Sequence, residues 1–145
     1  MKISTKGRYS VRLMIDLATN GTQGFVLLKD VARRQQISEK YLGHLVPLLK
    51  NAGLISATRG AKGGFTLLRD PREVTLKDII SAVEGPICLV DCVDDKASCK
   101  KSADCAARDV WDEATRKIIQ IFDGYTLDQL VQEQKKKQGV DNYAI

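Results

Sequence analysis

Apolar stripes at helical spacing, two short β-prone runs around a glycine-rich turn, and four cysteines inside one window of 18 residues predict the fold class of this chain. The class is mainly α: a winged helix-turn-helix, a cysteine-bearing loop and a long C-terminal helix with the character of a dimerisation helix. At 145 residues the chain is one domain, or one domain plus an extension that packs on a partner. A hydrophobic fraction of 43% is enough for a real core, which excludes wholesale disorder.

Each element has its own signal. Residues 6–19 place Tyr9, Leu13, Met14, Leu17 and Ala18 on one helical face, and Asn20-Gly21 ends that helix. A second helix over 28–35 turns Leu28, Val31 and Ala32 inward, and the chain breaks at Gln36-Ile37. Ser38 caps a third helix with Tyr41, Leu42, Leu45, Leu48 and Leu49 on its buried stripe. Pro47 lies inside that helix at a cost of about 3 kcal/mol unless the bend is accommodated, so local irregularity is expected. Residues 54–58 and 65–68 flank Arg59-Gly60-Ala61-Lys62-Gly63-Gly64 and make a β-hairpin. Thr75 and Asp78 cap a short fourth helix carrying Leu76, Ile79 and Ile80, which Gly85-Pro86 ends.

Beyond the cysteines, a long helix begins near Asp104. Val110, Trp111, Ala114, Ile118, Ile121, Phe122 and Tyr125 run along it as a continuous stripe. The stripe packs either on its own domain or on the same helix of a second copy. Val110, Trp111, Ala114, Ile118, Ile121 and Phe122 are the candidate interface of a homodimer. Thr126 caps one further helix, and Lys135-Lys136-Lys137 onward reads as a frayed, solvated tail. The expected divisions are 1–85 for DNA binding, 86–106 for the cysteine loop, 104–134 for the dimerisation and C-terminal helices, and 135–145 for the tail.

Charge divides the chain. Residues 1–72 hold 13 Lys and Arg against 4 Asp and Glu, a balance of +9; residues 73–145 hold 10 against 14, a balance of −4, together the net +5. A basic half suited to a polyanion, on a helix-turn-helix with a wing, points to double-stranded DNA. The third helix is the candidate reader of a major groove that admits one helix. Ser38, Glu39, Lys40, Tyr41, Gly43 and His44 stand near its start. Arg59 and Lys62 sit among the glycines of the wing tip, where an arginine can enter the minor groove. Lys2, Lys6 and Arg8 are candidate phosphate contacts at the start of the first helix.

The four cysteines, Cys88, Cys92, Cys99 and Cys105, read C-x3-C-x6-C-x5-C in a segment without sustained apolar periodicity. No apolar run approaches the roughly 18 residues of a membrane span, and the N-terminus lacks a signal-peptide core, so a cytoplasmic protein without a membrane partner is expected. In that compartment clustered cysteines are metal-binding or redox-active before they are structural disulfides. Spacing alone permits a four-cysteine zinc site or a metal-free thiol switch. An enzyme is disfavoured: there is one histidine, no nucleophile–base–orienter arrangement, and the glycines lie in a hairpin rather than before a helix.

With those residues in place, the chain resembles the IscR-type family of bacterial winged-helix regulators (IscR, NsrR, CymR). The resemblance runs from Met1 to about Val131. It is carried by Lys6-Gly7-Arg8-Tyr9, by Ile37-Ser38 leading to Tyr41-Leu42, by Leu54-Ile55 leading to Arg59-Gly60 and Gly63-Gly64-Phe65, and by Ile80-Ser81-Ala82-Val83-Glu84-Gly85. Three cysteines at about six-residue intervals and a tryptophan-bearing helix follow. The resemblance implies a homodimer whose long helices cross and whose recognition helices read a pseudo-palindromic operator. It also implies an iron–sulfur cluster on Cys92, Cys99 and Cys105, whose soft thiolates suit iron, with 2Fe-2S favoured over 4Fe-4S. The implied function is a regulator sensing cluster status, redox state or nitric oxide, with cluster-assembly genes as targets. A metal-free CymR-like regulator of cysteine metabolism, or a thiol-switch repressor, is the alternative. Two departures stand out. Arg108 occupies the place of a ligating histidine, three residues after the last cysteine, and Gly43 replaces a glutamate of the recognition helix. Cys88 is the leading candidate for the vacant fourth ligand, ahead of an Asp, a residue of the other subunit, or His44.

Overall fold

The computed structural model describes residues 2–143, with side chains through residue 139. Helix α1 (Thr5–Asn20) begins where the Ser4 hydroxyl accepts from the Gly7 amide, and it turns Gly7, Ser10, Leu13, Met14, Asp16 and Leu17 inward. That spacing of three and four residues is the inner face of an amphipathic helix. Helix α2 (Leu28–Gln35) ends at Gln36, which takes a left-handed conformation at φ 55°, at the break expected from the sequence. Helix α3 (Glu39–Asn51) is capped by the Ser38 hydroxyl, which accepts from the Tyr41 amide at 3.0 Å. Pro47 does not end α3. Both Pro47 and Gly43, whose carbonyl loses its partner, are exposed, so water can satisfy that oxygen.

Strands β1 (Ile55–Thr58) and β2 (Gly64–Leu67) form an antiparallel hairpin with Ile55 opposite Leu67 and Thr58 opposite Gly64. Pairing therefore starts one residue later than expected in the first strand and one earlier in the second. A contact absent from the sequence pattern explains the second shift. Val26 and Phe65 exchange both backbone hydrogen bonds at 2.8 Å, adding a one-residue third rung to the hairpin. Gly64 permits that approach. It sits at φ +147°, and a Cβ there would lie 2.5 Å from the Val26 carbonyl oxygen. Gly64→Ala should therefore lower stability by roughly 2–3 kcal/mol in urea melts, from backbone strain together with the forced separation of Val26. A neutral result would mean that the rung is not formed in solution.

Helix α4 (Leu76–Glu84) has the expected capping box, Thr75 bonding the Asp78 amide and Asp78 bonding that of Thr75. Gly85, at φ 83°, turns the chain away. The cysteine segment then holds a short helix α5 (Asp91–Asp94) and two 3-10 turns at Lys96–Ser98 and Ser102–Asp104. Helix α6 (Ala106–Asp123) starts two residues later than expected, and helix α7 (Leu127–Tyr143) follows. The expected frayed tail is a correction: α7 continues through Lys135, Lys136 and Lys137 to Tyr143, while residues 144–145 lie outside the described residues. What fastens α7 is nonlocal. Leu127 and Val131 are buried, and the Leu127 amide donates to the Val74 carbonyl at 2.7 Å while the Leu76 amide donates to that of Tyr125 at 2.8 Å.

The core is one cluster, running from Leu13, Met14 and Leu17 through Val31, Leu42, Leu45 and Leu49 to Val74, Ile79 and Leu127. At its edge lies a carboxylate that the sequence pattern did not single out. Asp16 is 2% exposed and accepts from Arg34 at 2.7 and 3.0 Å, from Gln35 at 2.9 Å and from Asn20 at 3.3 Å. This fork joins α1 to α2, and the hydrogen bond to Asp16 raises the pKa of Arg34. Asp16→Ala should cost about 2–3 kcal/mol, because Arg34 and Gln35 lose a shared acceptor in a half-shielded place. Denaturant unfolding measures this; no loss would show that water replaces the carboxylate without penalty. On the surface, hydrogen bonds from Arg72 hold the Asp70 carboxyl down at about 2.

Candidate nucleic-acid interface and cysteine site

The outer face of α3 is open. Glu39, Lys40, Gly43 and His44 are exposed, whereas Leu42, Leu45, Val46 and Leu49 hold the other face in the core. Two candidates of that face are already engaged. The Ser38 hydroxyl serves as the helix cap, and the half-buried Tyr41 ring packs edge-on against Tyr9 at 5.6 Å. The guanidinium groups of Arg8 and Arg12 lie 5.9 and 5.4 Å from the Tyr9 ring centre, gathering cations at the head of α1 beside α3. Arg8 is exposed and bonds Thr5, and Lys6 is half-buried. Arg59 and Lys62 are both exposed on the wing turn, which the Gly63 amide closes onto the Gly60 carbonyl at 3.0 Å. Lys2 stands elsewhere, on a groove between α4 and α6.

That groove is apolar, with a volume of about 440 Å³, and Ile3, Ile80, Cys88, Ile118, Ile121 and Phe122 are among its walls. Helix α6 otherwise leaves its stripe uncovered within the chain. Val110 and Ile121 are each 57% exposed, Trp111 is 44% exposed, and Ala114, Ile118 and Phe122 are half-buried. Packing on its own domain thus accounts for only part of the stripe. A contiguous apolar face of this kind marks an interaction surface.

All four cysteines are free thiols. Cys99 is exposed at the end of a 3-10 turn, and Cys92, in α5, and Cys105, the N-cap of α6, are half-buried. No residue of α5 or of either 3-10 turn is buried, so nothing in the core holds these thiols apart. Among the described residues, no group of three or more His, Cys, Asp or Glu side chains is gathered as a metal site. The donor chemistry fits an iron–sulfur cluster, and the loop would have to close around it. Cys88 is half-buried in the groove wall and donates its thiol to the Val90 carbonyl at 2.8 Å. His44 belongs to the exposed face of α3, among the candidate DNA contacts.

Two residues tie the loop to α6: Arg108, noted in the sequence only as standing in a histidine's place, and Thr115, which the sequence pattern passed over. Arg108 Nε donates to the Cys92 carbonyl at 2.9 Å, and the buried Thr115 hydroxyl accepts from the Leu89 amide at 3.3 Å. The signal available was a polar residue, Thr115, inside an apolar stripe; buried polar atoms need partners.

Among the described residues no helix is long and apolar enough to cross a membrane. The family model Rrf2, described as iron-dependent transcriptional regulator, matches residues 3–133. The chain is 34% identical to the HTH-type transcriptional regulator IscR of Aliivibrio salmonicida over 145 residues, covering 100% of this chain and 86% of that protein. Among solved structures, IscR of T. potens superposes with a TM-score of 0.78 at 35% identity, over 95% of this chain and 91% of that one. CymR, the global cysteine regulator of B. subtilis, superposes with a TM-score of 0.77 at 38% identity, over 92% and 98%. These relatives are transcriptional regulators rather than enzymes, and their winged-helix fold is the one described above. Regulators of this family bind DNA. The chain belongs to the Rrf2 family of transcriptional regulators.

Proposed function

We propose that this regulator binds a pseudo-palindromic operator as a homodimer and senses iron–sulfur cluster status, redox state or nitric oxide through a cluster on Cys92, Cys99 and Cys105. Its expected targets are cluster-assembly genes. The observation that carries the reading is the set of free thiols on a segment without buried residues, mounted directly on the head of α6, the helix that bears the exposed apolar stripe. A bound cluster would supply a group whose state depends on oxidants and nitric oxide. The chain supplies the rest: thiolates to hold it, Arg108 and Thr115 to keep the loop against α6, and the exposed residues of α3 and the wing to meet DNA. The likeness to CymR favours a second reading, a metal-free regulator of cysteine metabolism.

Absorption and Mössbauer spectra of protein purified without oxygen, with iron and sulfide analysis, separate the two. A red-brown protein with iron and sulfide supports the cluster. A colourless protein carrying zinc would make the metal structural, and one with bare thiols would favour the second reading. On the DNA side, Arg59→Ala should weaken operator binding by about 1–3 kcal/mol if the arginine enters a groove. Parent and variant should both lose affinity steeply with salt, since lysines and arginines release counterions from phosphates. An unchanged dissociation constant would remove the wing from the interface.

A further inference from the structure

We propose that Arg108 is a positioning residue that fastens the Cys92 limb of the loop beside Cys105, so that two of the candidate ligands share the first turn of α6. The inference rests on reading this loop as ligand-bearing. Its basis is geometric. Cys105 is the N-cap of α6, and Arg108 stands three residues on, on the same side of the helix. From there its Nε reaches back 16 residues along the chain to the Cys92 carbonyl at 2.9 Å. Farther along, Thr115 holds the Leu89 amide at 3.3 Å. Residues 108 and 115 are seven apart, which brings them to one face of the helix. Together they lay residues 89–92 along α6.

The limb that carries Cys99 is built differently. Its side-chain hydrogen bonds, Ser102 to the Lys96 carbonyl at 2.8 Å and the Ala97 amide to Asp95 at 2.9 Å, stay within the limb. The loop therefore has one limb docked on the helix and one held only to itself. Arginine suits the docking role. A guanidinium has donors but no lone pair to offer a metal, so it grips the backbone of Cys92 and leaves both thiols free. Half-burial shields the bond from water, which strengthens it over an exposed one. The residue that departs from the histidine pattern thus acts through the loop and not as a ligand.

The test uses the reduced, cluster-free, full-length protein and dibromobimane, which fluoresces once it has bridged two neighbouring thiols. In a Cys88→Ala/Cys99→Ala background the reagent reports the Cys92–Cys105 pair. In a Cys88→Ala/Cys92→Ala background it reports the Cys99–Cys105 pair. Arg108→Ala should slow bridging of the first pair about fivefold, as expected for one lost hydrogen bond, and leave the second unchanged. Arg108→Gln, which keeps an N–H donor without the charge, should recover part of the rate, and it replaces the alanine variant should that one lose helicity. Equal slowing of both pairs would overturn the proposal in favour of general support of the helix; no slowing of the first pair would overturn it outright. Because the assay needs no metal, it is independent of the cluster. A colourless protein with Arg108-dependent bridging refutes the cluster and keeps this inference, and a red-brown protein without that dependence does the reverse.

Discussion

Alanine at Cys92, Cys99 or Cys105, one at a time, is expected to abolish the visible absorption of the protein purified without oxygen. The three thiols are the only soft donors on the segment between Val90 and the head of α6. No buried residue of α5 or the 3-10 turns pre-shapes the site, so the thiolates themselves must supply most of the anchoring. Loss of any one leaves two thiols on the segment that would have to close around the cluster, and Cys88, held in the groove wall by the Val90 carbonyl, does not lie on that segment to replace it. Cys88→Ala is expected to behave differently and leave a weaker or oxygen-labile chromophore, since an oxygen or nitrogen donor substitutes imperfectly. Its thiol already has a partner in the Val90 carbonyl, so releasing it to a metal costs that bond. If Cys88→Ala kept the parent spectrum and stability, Cys88 would be a wall of the α4–α6 groove and nothing more. If any one of the three alanine variants kept its colour, that cysteine would lose its place among the ligands.

The second large effect concerns assembly. Val110→Glu or Ile121→Glu should convert the dimer to a monomer in sedimentation experiments. Each position is 57% exposed within the chain, so a carboxylate there costs the isolated subunit little. In a two-fold interface it is buried twice without a partner, at about 3–5 kcal/mol for each uncompensated charge. Val110→Glu is the cleaner of the two, because Ile121, like Ile118, also lines the groove with Ile3 and Ile80. Operator affinity should fall along with the dimer, since one subunit engages one half-site and loses the gain from binding two together. A variant that stays dimeric would move the interface off this stripe.

Much of this architecture is written locally in the chain. The Ser38 cap, the Thr75–Asp78 capping box, the limits of α2 and the hairpin around Gly60–Gly64 each depend on residues within a few positions of one another. The apolar stripe of α6 was also legible, because its period is that of a single helix. Candidate DNA contacts could be named from sequence only as residue types on elements; Lys40, His44, Arg59 and Lys62 stand exposed on α3 and the wing. Ser38 and Tyr41 show its limit: the same positions serve a cap and an aromatic contact, and only the neighbours decide how a side chain is used.

What the sequence by itself determined, then, is the order and kind of the elements, the basic N-terminal half and the cysteine-rich loop, because periodicity, caps and composition are short-range properties. Tertiary structure decided the Val26–Phe65 rung, the burial of Asp16 between α1 and α2, the fastening of the start of α7 to Val74 and Leu76, and the two bonds from α6 that dock the loop. Each of these joins residues far apart in the chain. Their partners are settled by packing of the whole core, which no local window of sequence records.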